Sequence, residues 1–230
     1  LVHAIDAQDA ILVVGDYDAD GATATALAVE TLTRFGAERV DYVVPDRQRH
    51  GYGLSPQVID DWMTDNDRPA PDLVLTVDNG ISAVEGVAHA NALGCQVIVT
   101  DHHLPAAERP PAEAVVCPTL PESTFPSTAI AGVGVIFYVM ARLRQQLQEH
   151  GREVPSLKSA LDLVAIGTVA DVVPIDDTNR RLVSAGLAVI RSDAARAGVI
   201  ALFTVAGRER RVATTQDIGF MLGPRLNAAG

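Results

Sequence analysis

Four short acid-rich segments interrupt an otherwise apolar chain: Asp16-Tyr17-Asp18-Ala19-Asp20-Gly21, Val77-Asp78-Asn79-Gly80, Thr100-Asp101-His102-His103 and Ala170-Asp171. Carboxylates and imidazoles are ligands for divalent cations. Two such cations about 3.5–4 Å apart can activate water and stabilise the charge that grows on phosphorus and on a leaving oxygen. The residue types therefore point to metal-dependent hydrolysis of a phosphoester. Mixed imidazole and carboxylate ligation suits Mn²⁺, with Mg²⁺ as the competitor.

Each segment also has a plainer interpretation. Asp16-x-Asp18-x-Asp20-Gly21 matches the opening of a calcium-binding EF-hand loop, but the twelfth position is Leu27 where that loop needs a bidentate Glu, and a strand-like run precedes it. One acid could cap the helix that follows. Three alternating acids in one turn repel each other unless a cation sits among them. Asp78 alone would read as a helix cap. Asp101-His102-His103 is harder to explain by packing, because a ligating His commonly has a carboxylate orienting its second ring nitrogen. Asp171 closes the apolar stretch Leu161 to Ala170, at the negative end of a helix dipole, where an acid is unfavourable without a nearby positive charge. Gly132-x-Gly134 superficially suggests a nucleotide loop, but close helix packing accounts for it better.

These residues must be positioned by strands and helices, and the pattern along the chain is strand then helix. Ile11 to Val14, Val40 to Val44, Leu73 to Val77, Gln96 to Thr100 and Ala114 to Cys117 read as strands. Where strands are apolar throughout and do not alternate, both sheet faces are covered, and the spacing demands crossover helices. Gly21 to Phe35, Pro56 to Met63 and Ser82 to Leu93 supply them. After Pro126 only helices are expected: Val133 to His150, Leu157 to Ala170, Asn179 to Ile190 and shorter ones beyond. The fold class is α/β, a five-stranded, mostly parallel sheet flanked by helices (1–125) followed by an all-helical segment (126–230). Open parallel sheets gather ligands beyond the carboxyl ends of their strands, where the first three acidic segments lie.

Composition agrees with a globular enzyme of one large or two small domains: 230 residues, 48% hydrophobic, 20% charged and 4% aromatic. No stretch approaches the ~20 apolar residues of a membrane span. Cys95 and Cys117 lack disulfide-scaffold, zinc or redox spacing and are expected as small buried residues of a cytoplasmic protein. The net charge of −11 argues against a polyanionic partner at first sight. Two divalent ions would offset four of those charges and still leave the chain acidic, so any grip on phosphate must come from local arginines. Candidates are Arg47 and Arg49, Arg180 and Arg181, and Arg208, Arg210, Arg211 and Arg225. The chain begins without Met and is expected to be part of a longer one.

The ordered motifs DYDADG, VDNG, TDHH and GTVADVVP resemble the DHH phosphoesterase superfamily. An aspartate-only first motif, Val44-Pro45-Asp46-Arg47 leading to Gly51-Tyr52-Gly53-Leu54, and the terminal Gly223 to Gly230 resemble its single-strand-specific exonuclease branch. The resemblance implies a DNA-repair nuclease that digests single-stranded DNA from its 5′ end to mononucleotides, with further domains beyond this region. It implies Asp78 as a bridging ligand, Asp16 and Asp18 on one metal, and Asp20, His102 and Asp171 on the other. Asp101 is assigned to orienting His102, and His103 to the scissile phosphate or to proton donation, with a further metal ligand as its alternative role. Arg47 and Arg225 are candidate forks for a terminal phosphate, His50 and Tyr52 for hydrogen bonding or stacking beside it, and Asn227 for orienting a ligand or capping the last turn. Expected partners are single-stranded DNA, a single-strand-binding protein and a helicase, with no membrane and a monomeric state. The competing classes are a DHH-type phosphodiesterase for short oligonucleotides or cyclic dinucleotides, and a non-catalytic scaffold, which would be expected to have lost ligands that are all present here.

Overall fold

A computed structural model describes residues 1–228; Ala229 and Gly230, the end of the terminal motif, lie outside it. The apolar runs form one parallel sheet: β1 (Ile11–Val14), β2 (Val40–Val43), β3 (Leu73–Val77), β4 (Gln96–Thr100) and β5 (Ala114–Val116), in the order β2-β1-β3-β4-β5. Ile11 pairs with Val40 on one side and with Leu73 on the other, so β1 lies between β2 and β3. The chain thus crosses from β1 to one edge and then back over β1 to β3. Where that reversal occurs, the connections leaving β1 and β3 part in opposite directions and open a crevice at the strands' carboxyl ends.

Side chains alternate between two covered faces. Ile11, Val13, Leu73, Leu75 and Val77 face α1 (Val2–Ala7), α2 (Ala19–Arg34) and α5 (Gly132–Glu149). Leu12, Val14, Val74, Val97 and Val99 face α3 (Pro56–Asn66) and α4 (Val84–Ala92). This two-sided burial is why β1 and β3, buried along their whole length, carry no polar alternation. A third cluster, around Ala165, Ile166, Val183, Phe203 and Leu222, joins α6 (Leu161–Ala170), α7 (Asp177–Arg191), α8 (Ala197–Val205) and the helical turns up to Asn227.

The expected sheet with flanking helices and a helical remainder is the fold observed. Two boundaries differ in ways that matter. α2 starts at Ala19 rather than Gly21, because the Asp18 carboxylate accepts the Gly21 N–H at 2.8 Å and caps the helix. Asp20 therefore sits in the first helical turn. Leu157 to Ala160 is a separate turn ahead of α6, with Lys158–Ala160 in 3₁₀ form. Cys95 and Cys117 are buried and unpaired, and among the described residues no helix is long and apolar enough to cross a membrane.

α6, which ends at Asp171, is fastened at its other end by an ion pair. Arg196 Nε lies 2.9 and 3.0 Å from the oxygens of the fully buried Asp162, and Arg196 Nη1 lies 2.6 Å from Glu30 of α2. Removing the cation would leave Asp162 as an uncompensated buried charge. Arg196→Ala should cost about 3 kcal/mol, measured from the midpoint of equilibrium urea unfolding.

Candidate metal centre

Three strand ends and one helix end deliver the acidic segments to the crevice. Asp16 follows β1, Asp78 follows β3, Asp101 to His103 follow β4, and Asp171 ends α6. Asp16, Asp20, Asp78 and Asp101 are each 3% exposed or less, which carboxylates tolerate only with strong compensation. The ligand-capable atoms fall into three overlapping groups, within each of which all lie inside 4.8 Å: Asp16, Asp18 and Asp78; Asp20, His102 and Asp171; and Asp78, His102 and His103. Asp78 stands between the first two. Its own backbone is left-handed, with φ of 64°, and Gly80 follows at 112°, so a tight turn aims the carboxylate back over the strand end.

The closest approaches surround one imidazole. His102 Nε2 lies 3.1 Å from Asp78 Oδ1, 3.7 Å from Asp171 Oδ2 and 3.8 Å from Asp20 Oδ2. Despite that proximity, Asp78 Oδ1, His102 Nε2 and Asp171 Oδ2 are buried without a hydrogen bond of acceptable geometry. Asp20 is treated differently: its two oxygens accept the N–H groups of Gly132 and Val133 at 2.6 and 2.9 Å, which caps α5. A carboxylate has roughly four lone-pair sites, so this capping leaves Asp20 able to hold a cation as well.

The electrostatics match the geometry. Burial raises the Asp78 carboxyl well above the usual range, and the charges of Asp18, Asp101, Asp16 and Asp171 add to it. Burial likewise raises Asp20, reinforced by Asp78 and Asp171. Asp16 and Asp171 are raised for the same first reason. A divalent cation would reverse this logic, because an adjacent positive charge favours the ionised form. Buried carboxylates and an imidazole converging with orphaned atoms form a donor set that fits two such ions. A concavity of about 610 Å³ lies elsewhere, between β5 and α5, where Val115, Leu120 and Tyr138 make an apolar lining.

The N-terminal domain of the DHH family matches residues 10–168. This chain belongs to the DHH family. It is 50% identical over 226 residues to the single-stranded-DNA-specific exonuclease RecJ of Escherichia coli K12, covering 96% of this chain and 38% of that protein. The chain thus spans well under half the length of that relative. A crystal structure of exonuclease RecJ bound to manganese superposes with a TM-score of 0.84 at 36% identity, over 99% of this chain and 54% of that one. RecJ of Thermus thermophilus in complex with Mn²⁺ gives 0.80 at 34%, over 99% and 31%.

Within this DHH domain, several residues sit differently from expectation. Asp101 does not face the ring of His102. Its Oδ1 pairs with His103 Nδ1 at 2.8 Å and accepts the backbone N–H groups of His102 and His103. Burial would raise Asp101, but its bonds to the His103 ring and to the amides of Ile81 and His103 outweigh that and lower it; the same pairing raises His103. The expected phosphate role of His50 does not fit, because Nδ1 accepts the Asp46 N–H, Nε2 meets Asp61 at 2.9 Å and the ring is buried. Asn227 caps a helix other than its own: its Oδ1 accepts the Ala19 N–H at 2.8 Å. Arg49, Arg208 and Arg211 are paired with Asp61, Asp217 and Asp193, and Arg210 reaches the carbonyls of Ile190 and Ser192. Arg47 instead lies over the Tyr17 ring, and exposed Arg225 donates to the Met221 carbonyl. Tyr52 reaches the centre, with its hydroxyl 3.3 Å from the Asp78 carbonyl and from the His103 ring, and half of its surface exposed.

Two contributors escaped the motif reading. Gly132 admits the Asp78 carboxylate where a Cβ would overlap it, a close approach that the paired glycines hinted at without naming the partner. Asn79 is fully buried and bonds to both neighbouring strand ends, but next to Gly80 it looked like an ordinary turn residue. The raised carboxyls give the metal-free fold a definite pH response. The folded state retains protons that the unfolded chain releases, so stability falls as pH rises from the ordinary carboxylate range through the raised values. Lowered acids such as Asp101 and Asp217 act oppositely, their contribution being lost only in stronger acid. Metal-free protein should therefore melt at higher temperature in mildly acid than in mildly alkaline buffer. A saturating divalent cation should remove or invert that trend in scanning calorimetry.

Proposed function

We propose that this chain is the catalytic region of an exonuclease that degrades single-stranded DNA from the 5′ end, using two divalent cations, Mn²⁺ in preference to Mg²⁺. The observation that carries the reading is the convergence of Asp78 Oδ1, His102 Nε2 and Asp171 Oδ2, buried and unsatisfied, with Asp20 behind them and Asp16 and Asp18 beside them. The substrate is inferred from the RecJ relatives, and the metals from RecJ structures determined with Mn²⁺ and, for the Thermus protein, also with Mg²⁺.

In this reading Asp16, Asp18 and Asp78 hold one cation and Asp20, His102 and Asp171 the other, with Asp78 shared. The cations would supply an activated water and neutralise charge on the reacting phosphate. His103, half-exposed and held by Asp101, is placed to meet the scissile phosphate or to protonate the leaving oxygen. The elevation imposed by Asp101 favours its proton-bearing form. Tyr52 offers a hydroxyl and an aromatic face beside it. Arg47 and Arg225 retain guanidinium donors for the terminal phosphate. Residues 1–125 would form the α/β core, with 126–230 completing it through α5 and Asp171. The enzyme would act as a cytoplasmic monomer alongside a single-strand-binding protein and a helicase.

Asp78→Asn should lower Mn²⁺-dependent release of nucleotides from a 5′-phosphorylated single strand by more than about a hundredfold, since even ligand-supporting residues are worth 10–100-fold. Circular dichroism should show the fold retained, and surviving activity would remove Asp78 from its shared position. Arg47→Ala should raise KM about tenfold or more with kcat little changed, the loss expected for a charge-assisted contact. An unchanged KM in steady-state kinetics would exclude the anchor.

A further inference from the structure

Asn79 is fully buried and stands next to the central acid, and its side chain is engaged with backbone rather than with the acids of the centre. Nδ2 lies 3.0 Å from three carbonyl oxygens: Val14 and Gly15 at the end of β1, and Val77 at the end of β3. Two amide hydrogens therefore serve three acceptors. Oδ1 accepts the N–H of Leu54 at 3.2 Å, and Gly53, at φ of 67°, brings its backbone close against the Asn79 side chain. The Asn79 carbonyl in turn accepts the Thr76 hydroxyl at 2.7 Å.

The position of this amide is what makes it informative. The register between β1 and β3 runs from Ile11↔Leu73 to Val14↔Thr76 and ends there, where the two connections part. Asn79 continues the stitching past that point. It joins the residue that precedes Asp16 to the residue that precedes Asp78, and it seats the loop carrying Tyr52. The other half of the centre depends on different supports: Asp20 on the α5 amides, His102 on β4, and Asp171 on α6.

We propose that Asn79 is a positioning residue that sets the separation of Asp16 and Asp18 from Asp78, so that the cation position these three form depends on it more than the position where Asp20, His102 and Asp171 join the shared Asp78. The inference rests on the two-cation reading given above. Asn79 would act through backbone placement, touching neither cation nor substrate.

The test is to count bound Mn²⁺ in initially metal-free protein by isothermal titration, with free Mn²⁺ followed by electron paramagnetic resonance. Wild type should bind two ions per chain. Asn79→Ala should weaken one ion about 10–100-fold and the other by a clearly smaller factor. Asn79→Asp conserves volume and the Leu54 contact but turns an oxygen toward three carbonyls, so it should weaken the same ion at least as much; it also provides a second variant should the Ala form fail to fold. Arg196→Ala, destabilised far from the centre, should still bind two. Combining Asn79→Ala with Asp16→Asn should weaken that ion by less than the product of the two single effects, the non-additivity expected of coupled residues. Equal weakening of both ions, or unchanged affinity for both, would overturn the role of Asn79. Wild type binding fewer than two ions would overturn the two-cation reading and this inference with it.

Discussion

Like charges crowded into a space that water barely enters are the constraint around which this molecule is organised. Asp16, Asp20, Asp78 and Asp171 are each shifted toward the neutral form by burial first, and repulsion from neighbouring acids adds to it. Folding nevertheless brings them together, and much of the architecture serves to hold them there. Asp20 is restrained by the first amides of α5, where the helix's partial positive end offsets part of its charge. Asp171 receives the opposite treatment, at the negative end of α6. A cation is the economical remedy for both, and it explains why a stable fold would keep an arrangement that is unfavourable without one.

The sheet's order determines where this can happen. With β1 and β3 adjacent and β2 and β4 on their outer sides, the chain reverses direction across the middle of the sheet. Residues that follow each strand are thereby gathered over one crevice. Positive-φ backbone at Asp78, paired with glycine at 80, bends the strand end sharply enough for its carboxylate to stand between the two ligand groups. Small residues do the rest: neither Gly132 nor Gly21 could carry a side chain without striking Asp78 or Asp16.

Much of this was legible in the amino acids because the relevant signals are local. Uninterrupted apolar runs announce strands covered on both faces, and Leu73 to Val77 and Gln96 to Thr100 begin and end where the pattern said. Acids at strand ends likewise told which residues would converge. What stayed hidden was which way each side chain turns. Asp101 could serve either neighbouring imidazole by spacing alone, and only the fold directs it to His103. His50, beside an arginine in a glycine-rich loop, has the composition of a ligand contact, yet Asp46 and Asp61 occupy both of its ring nitrogens. Asn79 lay inside a motif whose glycine and acid already seemed to account for it. Its long-range bonds to Val14 and Gly15 have no counterpart in nearby sequence.

The bond from the Ala19 amide to Asn227 closes the start of α2 with a group 208 residues away. A loop of that span gains its reward only after nearly everything between has been arranged, since closure entropy must be met before distant contacts return anything. The turn that carries Asp18 and Asp20 would accordingly acquire its final cap late in folding. The first acidic segment and the helical turns up to Asn227 are thereby tied to one another through a single backbone amide.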